Sequence, residues 1–137
     1  MDTSKIFKKL IISSVLLFVL AFLSVFIYQG PESVNEFNDR YYATWMNNEG
    51  LWPLFVILFI LVFLHFFSFY MLYKFKKNGK RLFVITLIII LVFDLFSGPY
   101  AASSVELFFS TIFYLIEGAL LAILFLTPMS KKFNKFP

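Results

Sequence analysis

Basic residues occur in three short clusters separated by long apolar runs, and this pattern restricts what the chain can fold into. Eleven of the 12 Lys and Arg residues belong to these clusters, and Arg40 is the exception. The clusters are Lys5, Lys8 and Lys9; Lys74, Lys76, Lys77, Lys80 and Arg81; and Lys131, Lys132 and Lys135. Short loops rich in Lys and Arg stay on the cytoplasmic side of a membrane. The pattern therefore predicts a multi-pass protein of the inner (cytoplasmic) membrane with both termini in the cytoplasm.

The apolar runs predict an all-α membrane protein, a bundle of four transmembrane helices that forms one domain over residues 1–137. Hydrophobic residues make up 61% of the chain, well above the share in soluble domains. A membrane-spanning helix needs about 20 apolar residues. The predicted spans are about 10–28, 51–73, 82–98 and 105–127.

The predicted outer loop, residues 29–50, has an acidic and aromatic composition. Ser33 and Glu36 match a capping box, which predicts a short interfacial amphipathic helix over about 34–47. Aromatic side chains gather at membrane surfaces, so we expect four interfacial anchors: Phe37, Tyr41, Trp45 and Trp52. A second capping box, Ser103 and Glu106, predicts the start of the fourth span.

Three ionisable residues interrupt the apolar runs: His65, Asp94 and Glu117. A charged side chain near the middle of a bilayer costs at least about 2.5–3.5 kcal/mol, so such residues usually face protein or water. Ser110, Tyr114 and Glu117 recur at helical spacing, and we expect them to face inward with His65 and Asp94 along one path. Such a cluster either binds and releases a proton or cation, or fixes the helix register through hydrogen bonds.

Gly118 and Ala122 form a small-xxx-small pair beside that polar stripe. Small residues at this spacing let a second helix approach closely within a membrane. The pair predicts a helix-packing surface on the fourth span.

Several function classes are disfavoured by what the sequence lacks. It has no cysteine, one histidine and no common catalytic or phosphate-binding motif, so we expect no enzyme activity, no metal site and no cofactor. The net charge of +4 lies beside the spans and not on one basic face, which disfavours nucleic acid as a partner. The expected partners are anionic lipid headgroups and another membrane protein or a second copy of the chain.

The architecture is similar to that of the immunity proteins that protect bacteria from pore-forming toxins, which are small, basic and four-spanning. The small multidrug-resistance exporters have the same size, but they carry an essential glutamate in the first span, where residues 10–28 have no ionisable side chain. We therefore expect a non-enzymatic accessory subunit or immunity-type protein that works through helix-helix association. The alternative is a proton- or ion-coupled transporter or channel.

Overall fold

The computed structural model describes residues 3–27, 36, 37, 40, 52–96 and 103–134, and this part of the chain is helical. It contains four α-helices: α1 (Thr3–Ile27), α2 (Trp52–Tyr73), α3 (Lys77–Phe96) and α4 (Ser104–Leu126). A 3-10 helix, Pro128–Asn134, follows α4. The prediction of an all-helical chain is confirmed for these residues.

Three of the four helices are long and apolar enough to cross a membrane. The stretches that qualify are Thr3–Ser24, Val56–Tyr73 and Ser104–Leu126. Helix α3 is not among them, because Lys77, Lys80 and Arg81 occupy its first turns and Asp94 lies near its end. Its uncharged part runs only from Leu82 to Phe93. The predicted third span is thus confirmed as a helix and stays a prediction as a crossing.

The helices begin earlier than the predicted spans at the basic end of the protein. Helix α1 begins at Thr3 and α3 at Lys77, and both include basic residues that flank the apolar runs. Lys and Arg are good helix formers, and their long side chains can reach water from a helix that continues into the apolar region. Ser103 is the predicted N-cap of α4, and its hydroxyl accepts a hydrogen bond from the Glu106 amide at 3.2 Å.

A tight turn joins α2 to α3. The Lys76 amide bonds to the Met71 carbonyl at 2.9 Å and the Phe75 amide bonds to the Leu72 carbonyl at 3.0 Å, and Phe75 has a φ of 53°. This is the Schellman arrangement, in which the left-handed residue is usually glycine. Phe75 retains a side chain there because its ring packs 6.1 Å from the ring of Phe7 and 5.5 Å from that of Phe133.

The hydrophobic core lies at the basic end of the helices. Its buried members come from all four helices and from the 3-10 helix: Phe7, Ile11, Phe69, Leu72, Phe83, Leu87, Leu120, Leu124, Met129 and Phe133. The sequence analysis did not predict the 3-10 helix, which supplies Met129 and Phe133. Pro128 begins it directly after Thr127, the C-cap of α4.

Two helix pairs make up the bundle, α1 with α4 and α2 with α3. Phe7, near the start of α1, contacts Phe133 beyond the end of α4, whereas Phe18 contacts Phe113 in the middle of α4. Helices α1 and α4 are therefore antiparallel. A third ring, Phe66 of α2, lies 4.7 Å from Phe18 and connects the two pairs.

The predicted interfacial helix falls mostly outside the described residues. Glu36, Phe37 and Arg40 have helical backbone and exposed side chains. Tyr41 and Trp45 lie outside the described ranges, and Trp52 is the first residue of α2. The interfacial helix and its four anchors remain predictions.

Replacing Gly79 by Ala should destabilise the fold by about 1–3 kcal/mol, the usual cost of forcing extra volume into a packed site. A Cβ there would lie 2.9 Å from both the backbone carbon and the Cβ of Met71, so α2 and α3 would have to separate. Thermal unfolding of the purified protein in detergent, followed by circular dichroism, measures the effect.

Gly118→Ala is the matched control, because a Cβ at Gly118 meets nothing within 4 Å. It adds the same methyl group to a helix and should leave the unfolding temperature unchanged or slightly higher. Equal unfolding temperatures for the two variants would contradict the close contact at Gly79.

Candidate functional site

His65 connects three helices through its two ring nitrogens. On α2, its Nε2 lies 2.6 Å from Glu117 Oε1 of α4, and its Nδ1 lies 2.9 Å from Thr86 Oγ1 of α3. All three residues are at least 96% buried. Glu117, His65 and Thr86 are referred to below as the polar clasp.

The surroundings of the polar clasp hold the imidazole in place. The ring is stacked on Phe83 of α3 at 5.4 Å between centroids and meets Phe69 of α2 edge-on at 4.8 Å. Ser68 donates a hydrogen bond to the His65 carbonyl at 2.6 Å, within the same helix. These contacts leave the ring one orientation, in which each nitrogen faces a different helix.

The three residues lie at one level of the bundle. His65 is eight positions before the end of α2, Thr86 nine positions after the start of α3, and Glu117 nine positions before the end of α4. At a rise of 1.5 Å per residue, each lies roughly 12–14 Å from the basic end of its helix. The polar clasp adjoins the hydrophobic core, because the His65 ring contacts the core residues Phe69 and Phe83.

The hydrogen bonds limit how many protons the polar clasp can hold. Thr86 has one hydroxyl hydrogen, which it can donate to a backbone carbonyl, either Leu82 at 2.9 Å or Phe83 at 3.1 Å, or to His65 Nδ1 at 2.9 Å. Donation to Nδ1 would leave a net negative charge on the buried pair of His65 and Glu117, so we expect Thr86 to donate to a carbonyl and to accept from a hydrogen on Nδ1. At 2.6 Å, Nε2 and Glu117 Oε1 must share one further proton, because two bare acceptors would repel.

With a hydrogen on Nδ1, the pair formed by His65 and Glu117 is neutral as a unit. Either a carboxylic acid donates to a neutral imidazole, or an imidazolium donates to a carboxylate, and the net charge is zero in both forms. Burying a neutral pair avoids the large cost of burying an isolated charge. The polar clasp can therefore join apolar helices without leaving a net charge among them.

Asp94 is separate from the polar clasp, which corrects the expectation that the three ionisable residues line one path. It lies eight residues beyond Thr86 on α3, about 12 Å further from the basic end. Its Oδ2 accepts a hydrogen bond from the Tyr114 hydroxyl at 3.0 Å, and both side chains are exposed. Tyr114 is 43% exposed and bridges α4 to α3.

The predicted inward stripe on α4 is also divided by the structure. Glu117 faces the interior, whereas Tyr114 faces outward and Ser110 donates to the Leu107 carbonyl of its own helix at 3.1 Å. Gly118 and Ala122 are exposed as well. No other helix in the described part of the chain packs at Gly118, so the predicted packing surface stays a prediction.

Ser14 of α1 is a buried polar residue that the sequence analysis missed. It is one turn before Phe18, and Glu117 is one turn after Phe113, the residue that Phe18 contacts. Because α1 and α4 are antiparallel, Ser14 and Glu117 lie at the same level. Within the described ranges, Ser14 Oγ and Glu117 Oε2 are buried and have no hydrogen-bond partner.

Comparisons with known proteins give no functional assignment. The chain matches no protein-family model, and neither the curated proteins nor the solved structures contain a significant match. In the described ranges, no three His, Asp or Glu side chains are grouped as a metal ion would require. The functional argument therefore depends on the geometry of the helices.

We expect strong coupling between His65 and Glu117 in a double-mutant cycle. Glu117→Leu leaves His65 Nε2 buried without a partner, which should cost about 1–3 kcal/mol, and His65→Phe does the same to Glu117 Oε1. Replacing both should cost less than the sum of the single variants by about 0.5–3 kcal/mol. Unfolding in detergent measures each free energy.

Tyr114→Phe is the control for this cycle, since it removes an exposed hydrogen bond to Asp94. Its free energy of unfolding should stay within about 0.5 kcal/mol of the wild-type value. Strictly additive effects of Glu117→Leu and His65→Phe would show that the two side chains do not act together.

Proposed function

We propose that this protein is a non-enzymatic integral membrane protein that works through helix-helix association, as an accessory subunit or an immunity-type protein. In this proposal all four helices cross the inner membrane, and both termini are cytoplasmic. The partner is another membrane protein or a second copy of the chain. The observation that carries the proposal is the uncovered small-residue surface on α4.

That surface consists of Tyr114, Gly118 and Ala122, which are successive residues at four-residue spacing. All three are exposed, and a Cβ at Gly118 would meet nothing within 4 Å. Helices associate in membranes mainly through close packing at small residues and through hydrogen bonds, because lipid is as apolar as leucine. Gly118 and Ala122 allow close packing. Tyr114 and Asp94 supply hydrogen-bonding groups at the edge of this surface.

The convergence of the basic clusters supports the proposed topology. The Lys8 ammonium lies 4.7 Å from the centre of the Tyr73 ring and 5.3 Å from that of Phe75, and Lys132 lies 5.9 Å from Phe75. The start of α1, the turn between α2 and α3 and the 3-10 helix thus meet at one end. The proposed topology requires these three basic segments to lie on the same, cytoplasmic face of the membrane.

The proposed crossing by α3 is compatible with its length. Its 20 residues extend about 30 Å at 1.5 Å per residue, close to the thickness of the hydrocarbon core. The basic residues in its first turns can extend their charges to the membrane surface.

Changing Gly118 and Ala122 to Ile should abolish association while leaving the fold intact. The added side chains project from an exposed surface, so unfolding in detergent should change by less than about 0.5 kcal/mol. Association is measured by cross-linking in native membranes and by mass spectrometry of whatever co-purifies in mild detergent. The double variant should lose the partner that the wild-type protein retains.

The control variant is Val56→Phe, which adds bulk to an exposed site on α2. It should retain the partner. Retention of the same partner by the Gly118→Ile, Ala122→Ile variant would refute the proposal that α4 carries the association surface.

A proton- or ion-coupled transporter is the second candidate, favoured by the two unpartnered atoms Ser14 Oγ and Glu117 Oε2. Buried polar atoms without partners inside a membrane protein are candidates for binding a proton or cation during transport. Both atoms lie at the level of the proton shared with His65.

Glu117→Gln separates the two candidates, because it keeps the shape and a hydrogen bond to His65 but removes a proton-binding group. The assay is proton flux into liposomes that contain the purified protein and a pH-sensitive dye, driven by an imposed potential. The association proposal predicts no flux above that of protein-free liposomes for either form. Flux through the wild-type protein that Glu117→Gln abolishes would establish the transporter instead.

A further inference from the structure

An open recess lies at the basic end of the molecule, between the start of α3 and the end of α4. Its volume is about 580 Å³, and its lining residues are Lys77, Asn78, Lys80, Arg81, Val84 and Phe125. The proposed function does not use this recess, whose α4 residue, Phe125, lies one turn beyond Ala122 and about three turns beyond Tyr114.

The recess is strongly cationic. Lys77, Lys80 and Arg81 contribute three positive charges, and in the described part of the chain no carboxylate forms an ion pair with any of them. Asn78 adds an amide donor, and the polar lining residues belong to the first two turns of α3, at the end where the helix dipole is positive. Arg and Lys together offer the geometry that a phosphate group prefers.

One wall of the recess is apolar and continues along the helices. Val84 and Phe125 form this wall, Phe125 is 55% exposed, and the Lys80 ammonium lies 4.0 Å from the centre of its ring. One turn beyond Val84, Ile88 is also 55% exposed. A ligand that fits must therefore carry a negative charge at one end and a hydrocarbon chain at the other.

We propose that this recess binds one anionic glycerophospholipid. Its phosphate lies among Lys77, Lys80 and Arg81, and an acyl chain follows Val84 and Phe125 toward Ile88. Basic pockets between transmembrane helices on the cytoplasmic side suit such headgroups. The inference depends on the membrane location in the proposed function, and it does not depend on association through Gly118 and Ala122.

Native mass spectrometry of the full-length protein in detergent, titrated with phosphatidylglycerol, tests the proposal. The wild-type protein should bind one lipid saturably, and phosphatidylcholine should bind far more weakly. Each basic residue near a membrane surface contributes roughly a fivefold gain in affinity. The triple variant Lys77→Gln, Lys80→Gln, Arg81→Gln should therefore bind phosphatidylglycerol on the order of 100-fold more weakly.

The matched control removes the same charge elsewhere, through Lys5→Gln, Lys9→Gln, Lys131→Gln, all exposed positions. It should retain phosphatidylglycerol affinity within about threefold, since its charges act only at long range. Circular dichroism confirms that both triple variants are folded. Equal losses of phosphatidylglycerol affinity in the two triple variants would show a diffuse charge effect and contradict the proposed site.

Inorganic phosphate distinguishes the lipid from a free anion. It should compete with phosphatidylglycerol only at far higher concentration, because it lacks the chain that contacts Val84 and Phe125. Competition at equal concentration would overturn the lipid assignment. Loss of lipid in the recess variant with intact cross-linking to the partner would separate this site from association through α4.

Discussion

The hydrogen bonds that run from Glu117 through His65 to Thr86 are the directional contacts on which the arrangement of the bundle depends. Apolar helix surfaces pack against one another or against lipid with little difference in free energy, so they specify register weakly. A buried histidine with both nitrogens satisfied allows one register of α2 against α3 and of α2 against α4. In the neutral arrangement that we expect for His65 and Glu117, this register is specified without burying an isolated ion.

The protein has two different ends. At the basic end, aromatic rings from α1, the turn and the 3-10 helix pack around Phe75, and basic side chains surround them. Beyond the polar clasp, α3 and α4 meet through the exposed hydrogen bond between Asp94 and Tyr114. Gly118, next to Glu117 on α4, is uncovered. The tightly packed end thus provides stability and carries the cationic recess for which we propose an anionic lipid, while the open surface of α4 is where we propose that a partner helix packs.

The sequence predicted the helices well because apolar length and basic flanks are strong one-dimensional signals. It also identified His65 and Glu117, since ionisable residues inside apolar runs are costly. It could not determine which side of each helix faces inward, because helices that are apolar all round lack the periodicity that reveals a buried face. Tyr114 and Asp94 were therefore grouped with Glu117, although they lie on an exposed edge. Gly79 and Ser14 carried no local signal, because the close approach of Gly79 to Met71 and the burial of Ser14 arise only from the packing of distant parts of the chain.

The state of His65 is the most direct measure of the polar clasp, and it can be observed selectively because the chain has one histidine. Nitrogen NMR of protein labelled with ¹⁵N-histidine, in detergent at neutral pH, distinguishes a nitrogen that carries a hydrogen from a bare one. The account predicts a directly bonded, hydrogen-bonded proton on Nδ1, donated to Thr86, and a Nε2 signal that shifts in the Glu117→Gln variant. A bare Nδ1, or a Nε2 signal that does not respond to that substitution, would contradict it.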